Sequence, residues 1–154
     1  PKSSRVILRA RYRFGDLMTL VDDDATIRDI LAQVRRIAVI GLSPDPERPS
    51  HGVAKGMIEA GYDIVPVNPF ESKILGRKTF ADLKYVSDAV NMVTVFREPK
   101  HVPEIVEMCI EKKVRNIWLQ EGVIHNEAAK YAAEHGIHVV MDRCMLKEYN
   151  RLLG

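Results

Sequence analysis

Four short stretches carry the small, polar and cationic side chains that suit a phosphorylated ligand. They are Gly41-Leu42-Ser43-Pro44-Asp45, Asn68-Pro69-Phe70-Glu71-Ser72-Lys73, Phe96-Arg97-Glu98-Pro99-Lys100 and Gln120-Glu121-Gly122, and each follows an apolar run. Gly41 permits a tight turn where a ligand nears the backbone. Ser43 and Ser50 supply hydroxyls. A helix opening at Ser50-His51-Gly52 presents unpaired N–H groups and a partial positive charge, which favour a pyrophosphate. Taken singly, Ser50 is only a helix cap and Gly41 only a turn; their position beside the first crossover is what raises the binding reading. Lys73, Arg97 and Lys100 are candidate phosphate partners, with ordinary surface charge as the alternative and the preferred reading for Lys100. Arg97 directly follows a buried run, which turns it toward the site.

Other chemistries fit less well. The first loop is neither G-x-G-x-x-G nor a phosphate-binding G-K-[ST] loop. Nicotinamide sites place an acid after the second strand to hold the ribose, and Asn68-Pro69 stands there instead. His51 reads as a phosphate contact or a cap ahead of an acid–base role. His125, His135, His138 and Cys144 lack zinc-ligand spacing, because a helix end and Gly136 separate two of them. Cys109 falls on an apolar helical stripe and reads as core. Cys144 is a redox candidate with no neighbouring CxxC, although Arg143 beside it favours a thiolate. Trp118 lies in an apolar run and reads as packing rather than as a platform for a base.

The elements that must position these loops alternate between two periods. Asp22, Asp23 and Asp24 are cap candidates for a helix whose Ile27, Ile30, Leu31 and Val34 share one face. Strands are expected at 37–40, 64–67, 90–96, 116–119 and 137–141, continuous apolar runs of the kind buried on both faces. Pro66 puts the second of these at an edge or a strand end. Helices follow, with Ser50 capping Val53, Ala54, Met57 and Ile58; with Pro103 in the first turn before Ile105, Val106 and Cys109; with Ala128, Ala129 and Ala132; and with Met145, Leu146 and Tyr149. A short turn of helix is expected over 80–83. Strand and helix alternate at crossover spacing, so the fold class is α/β: an open parallel sheet of about five strands with helices on both faces. In such sheets ligands bind outside the carboxyl ends of the strands.

Composition narrows the class. The 154 residues suffice for one domain, and at 46% hydrophobic the chain is too apolar for disorder. No apolar run approaches the length that spans a bilayer, and the start lacks a signal-peptide pattern. Two cysteines make no disulfide framework, so a reduced cytoplasmic setting is expected. The net charge of +2 is uneven, because residues 1–17 carry Lys2, Arg5, Arg9, Arg11 and Arg13 against Asp16 alone. This basic leader reads as a disordered or added segment before a start at Met18, and residues 18–154 as the domain. The remainder is slightly acidic, so neither nucleic acid nor membrane is an expected partner.

Five segments in this order resemble a known family. They are Ile37-Ala38-Val39-Ile40-Gly41-Leu42-Ser43, Arg48-Pro49-Ser50-His51, Pro66-Val67-Asn68-Pro69, Trp118-Leu119-Gln120-Glu121-Gly122-Val123 and Met141-Asp142-Arg143-Cys144. They look like the small stand-alone CoA-binding proteins, which are similar to the CoA-binding domain of the succinyl-CoA synthetase alpha subunit. The resemblance spans residues 26–144 and implies a Rossmann-like domain with coenzyme A as its cofactor. It maps Gly41, Leu42 and Ser43 onto a diphosphate loop and Lys73 onto a lysine after the second strand, across a longer connection. It maps Leu119, Gln120 and Glu121, with Gly122, onto a segment where the synthetase has a threonine. Ser50, His51, Asn68, Pro69 and Arg97 join the expected site from the loop reading. The synthetase's phosphorylated histidine belongs to a separate domain, so no histidine here inherits that role. The function expected is binding of CoA or an acyl-CoA without chemistry of its own. The alternatives are a subunit of an acyl-CoA ligase or transferase, or an NAD(P)-linked oxidoreductase. The macromolecular partner expected is an acyl-CoA ligase chain or a second copy of this one.

Overall fold

Apolar runs bounded by glycine and proline become strands, and the amphipathic stretches between them become the helices that cover those strands. The computed structural model describes residues 21–154; the basic leader lies outside them. In chain order the elements are α1 (Asp24–Gln33), β1 (Arg36–Ile40), α2 (Pro49–Glu59), β2 (Asp63–Val67), β3 (Lys73–Ile74), β4 (Arg77–Lys78), β5 (Met92–Val95), α3 (Val102–Glu111), β6 (Asn116–Leu119), α4 (Asn126–Glu134), β7 (His138–Val140) and α5 (Met145–Leu152). Single 3₁₀ turns sit at Leu83–Tyr85 and Pro99–His101. The expected turn at 80–83 thus forms slightly later, and the third and fifth expected strands are shorter than their apolar runs. The two-residue hairpin of β3 and β4 was not anticipated from the sequence.

Five parallel strands form one sheet in the order β2-β1-β5-β6-β7. Alternate residues of each strand face opposite layers. Ala38, Ile40, Val93, Val95, Ile117 and Leu119 pack with α3 and α4, whereas Ile37, Val39, Met92, Trp118 and Val140 pack with α1, α2 and α5. This double burial is why the strands read as unbroken apolar runs. Pro66 lies in the edge strand β2, opposite Val39. The carbonyl of Pro66 accepts from the Phe80 amide on the outer side (3.0 Å). In a strand a residue's N–H and C=O point the same way, so the missing donor of Pro66 faces outward and costs the sheet no bond.

Two local readings are corrected. Asp23 alone caps α1, its carboxylate accepting from the Thr26 amide at 3.0 Å. Ser50 is not the cap of α2: Arg48 occupies that position, makes no side-chain cap bond, and Pro49 supplies the first turn. Proline in that turn needs no acceptor and already has the helical φ. Ser50 is thereby carried one position inside the helix, where its side chain is buried.

The chain leaves β1 toward β2 on one side and returns to β5 on the other, so the order reverses between β1 and β5. Gly41 follows β1 at this reversal with φ +85°, and a Cβ built there would lie 2.4 Å from the Phe96 carbonyl oxygen after β5. Only glycine allows the two strand ends to approach this closely.

Candidate functional site

Two cavities open at the carboxyl ends of the strands, and both are lined by Gly41. One, of about 600 Å³, lies on the β2 side between the loop Asn68-Pro69-Phe70, the segment Ala81-Asp82-Leu83, Arg97 and the start of α3. The other, of about 820 Å³, lies between the opening of α2, the Gln120-Glu121 loop and α5. Its apolar wall includes Val53, Phe96, Val123 and Leu146, and its polar edge includes Ser43, Arg48, Cys144, Lys147 and Asn150. Pockets of a few hundred to a thousand cubic ångström hold small-molecule ligands.

The loop after β1 is held by its own side chains. Ser50 Oγ accepts from the Ser43 amide (3.0 Å), Ser43 Oγ from the Asp45 amide (3.0 Å), and Asp45 Oδ1 from the Glu47 amide (2.9 Å). The Gly41 amide donates to the Val67 carbonyl (3.1 Å). Short polar side chains compete for nearby backbone donors in this way. Among the described residues, the Leu42 and Ser50 amides have no protein acceptor. The expected row of free amides is therefore shortened, with Leu42 and Ser50 left open, and Ser43 and Ser50 act first as internal braces.

The remaining expected residues divide. Asn68 and Pro69 line the β2-side cavity, but both ends of the Asn68 amide are used: Nδ2 donates to the Leu42 carbonyl (2.9 Å) and Oδ1 accepts from the Phe70 amide (2.8 Å). Arg97 lines the same cavity. Lys73 lies on the exposed β3–β4 hairpin and lines neither cavity, and exposed Lys100 approaches Glu98 at 3.9 Å. Leu42 and Leu119 are fully buried core side chains, so only their backbone is available to a ligand. His51 is half-buried in the first turn of α2 and is not among the lining residues of either cavity. Gln120 is 2% exposed; Nε2 donates to Thr94 Oγ1 (2.9 Å) and Oε1 accepts from the Met145 amide (3.2 Å), so it ties β5 and β6 to the start of α5. Glu121 pairs with Lys147 across the mouth of the α2–α5 cavity (3.2 Å), and this bond raises the Lys147 pKa. The Gly122 amide donates to Asp142 Oδ1 (2.8 Å) at φ +84°.

Sequence reasoning missed Arg48, Lys147 and Asn150 at one cavity and Phe70, Asp82 and Glu104 at the other. Arg48 and Phe70 stood within the quoted motifs and were passed over. Lys147 and Asn150 lie on the polar side of the Met145-Leu146-Tyr149 stripe; that the terminal helix returns over this cleft is a tertiary fact. Other titratable groups lie outside these two cavities. Burial pushes the Cys109 thiol up to about 12, which leaves it inert. His125 caps α4 by accepting from the Ala128 amide (3.1 Å), and burial lowers the His138 pKa. Among the described residues, no group of three or more His, Cys, Asp and Glu side chains could hold a metal ion, and no helix is long and apolar enough to cross a membrane.

Residues 35–150 match a family described as a CoA binding domain. The uncharacterized protein YneT of Bacillus subtilis (strain 168) is 40% identical over 121 residues, covering 79% of this chain and 90% of that one. The ADP-forming acetate–CoA ligase II of Archaeoglobus fulgidus is 27% identical over 150 residues, which are 88% of this chain and only 21% of the ligase. The solved structure of a hypothetical protein from Pyrococcus horikoshii OT3 superposes with a TM-score of 0.83 at 41% identity, covering 86% of this chain and 94% of that one.

Proposed function

The chain belongs to the CoA-binding domain family, and from that premise we propose that it holds coenzyme A or an acyl-CoA across the strand ends without chemistry of its own. The observation that carries this reading is the pair of cavities meeting at Gly41. A ligand made of a nucleotide, an anionic bridge and a long flexible arm needs two chambers with a narrow, backbone-lined junction. The residues fit the group. Arg97 stands on one side of the junction and Arg48 and Lys147 on the other, so cations are available to the phosphates from both directions. Gly52 lines the α2–α5 cavity with nothing within 4 Å of a Cβ built there, which leaves open space where a side chain would intrude. In this reading the nucleotide lies on the β2 side, the diphosphate at Gly41 with the Leu42 and Ser50 amides, and the pantetheine arm along Val53, Val123 and Leu146. Both cysteines are free, which suits a cytoplasmic protein.

Thermal unfolding with CoA, acetyl-CoA, NAD and ATP tests this. CoA at 100 times its dissociation constant should add about 2.7 kcal/mol of stability. A shift with NAD and none with any CoA species would reject the reading.

The match to the acetate–CoA ligase favours a second reading, in which a partner chain supplies ligase catalysis. Affinity purification of the tagged chain tests it: a stoichiometric ligase subunit, with acyl-CoA turnover only in the complex, would replace the first reading.

A further inference from the structure

Resting on the coenzyme A reading above, we propose that Phe70 stacks on the purine and closes the β2-side cavity over it. Phe70 is 87% exposed, and among the described residues the next large apolar side chain, Tyr85, stands at 59%. A bare ring in water gains free energy from any flat apolar partner. Its backbone is fixed by contrast: Pro69 precedes it, its amide donates to Asn68 Oδ1 (2.8 Å), and Asn68 is anchored to the Leu42 carbonyl (2.9 Å). The ring is thus carried at the cavity edge by the same loop pair that carries Gly41.

The cavity suits a base better than a phosphate. Ile40, Val67, Leu83, Ile105 and Met108 supply apolar lining. Its charged groups are Asp82 and Glu104 against Arg97. Two carboxylates repel an anion held beside them and accept hydrogen bonds from amino groups. Asp82 Oδ1 already accepts from the Lys84 amide (3.0 Å), and a carboxylate keeps further acceptor sites beyond one such bond. A neutral purine with an exocyclic amine meets this lining, with its phosphates drawn toward Arg97 and Gly41.

The test is calorimetric titration of the full chain, and of Phe70→Ala, Phe70→Leu and Phe70→Trp, with CoA and with adenosine 3′,5′-bisphosphate. Because Phe70 is exposed, all three variants should unfold at the same temperature as the unaltered chain without ligand. Base–aromatic stacking predicts that Phe70→Ala weakens both ligands by the same factor, about 5- to 150-fold. Phe70→Leu should recover little of the loss. Phe70→Trp should recover most of it, and its indole emission should fall as CoA is added, over a constant background from buried Trp118. Full affinity in Phe70→Leu, or no loss in Phe70→Ala while the unaltered chain binds CoA, overturns stacking alone. A change of oligomeric state in Phe70→Ala with unchanged affinity makes Phe70 a contact between copies and also overturns it. If the unaltered chain binds no CoA, the coenzyme reading falls and takes this inference with it.

Discussion

Gly41 and Gly52 line the same cleft, yet a methyl group at each should have opposite consequences. At Gly41 the added Cβ would meet the Phe96 carbonyl oxygen at 2.4 Å, on a backbone with φ +85°. Backbone cannot swing aside as a side-chain tip can. Left-handed strain of about 1–2 kcal/mol and overpacking of about 1–3 kcal/mol together predict that Gly41→Ala loses about 2–5 kcal/mol. At Gly52 the Cβ meets nothing within 4 Å and the backbone is helical, so Gly52→Ala should gain up to about 1 kcal/mol. The same methyl would stand in the space proposed for the coenzyme, so affinity for CoA should fall as stability rises. Urea unfolding and CoA titration of both variants separate these effects; tighter CoA binding by Gly52→Ala would refute the placement of the arm. Gly41 is legible in the sequence because a glycine that ends an apolar run before a proline-rich loop has few other uses. Gly52 is not, since its value lies in what surrounds it. Ser43 and Ser50 show the limit of reading single residues: the sequence places both at the site, but not that each spends its side-chain oxygen on a loop amide.

Helix α5 forms one wall of the larger cavity; Met145, Leu146, Tyr149 and Leu152 pack it onto the core, and a set of ion pairs adds to that hold. Arg143 and Arg151 both reach Glu148, and Arg151 also reaches Asp24 on α1 with two bonds of 2.8 and 2.9 Å. The Arg151 hydrogen bond, followed by that of Arg143, lowers the Glu148 pKa from its ordinary value of 4.5 against the opposing effect of burial. Asp24 is lowered for the same reason, chiefly by Arg151, but it is more exposed than Glu148 and adds less. A depressed carboxylate binds fewer protons folded than unfolded near its pKa. Its stabilisation is therefore complete above the ordinary value and is lost as pH falls toward and through the folded one. Glu148→Gln should cost about 1 kcal/mol at pH 7, a partly screened pair. The gap from the unaltered chain should close as pH falls below 4.5. A gap that stays constant from pH 7 to pH 3 would show that Glu148 acts through packing. Periodicity reveals this helix from Met145, Leu146 and Tyr149, as it does the other helices, and unbroken apolar runs reveal the five sheet strands. It cannot reveal partners more than a hundred residues away, such as Asp24, or the tie from Gln120 to the Met145 amide. The hairpin β3–β4 is illegible for another reason: two-residue strands carry too few side chains to set up a period.

A parallel sheet collects every strand's carboxyl end on one side, so a ligand there should leave the opposite loops untouched. The sequence conveys this polarity, because alternating strands and helices at crossover spacing permit little else. What it leaves open is whether the ligand fills one cavity or bridges both, and amide exchange can decide. Amides in the sheet core exchange through global unfolding, and bound CoA slows all of them equally by the binding free energy. Loop amides exchange through local opening, and they slow only where the ligand touches or braces the loop. Bridging predicts extra protection at residues 41–53, 68–71, 97 and 120–123, and none at residues 61–63, 112–115 and 135–137 on the far side. The Leu42 and Ser50 amides are the most informative, since they have no acceptor in the protein and a phosphate would give them one. They should exchange fast without ligand and show a large slowing with CoA. Adenosine 3′,5′-bisphosphate should reproduce the protection at 68–71 and 97 but not at 120–123. Protection confined to the α2–α5 side with intact CoA would place the nucleotide elsewhere, and a slow Leu42 amide in the free protein would mean that the junction is already closed to an anion.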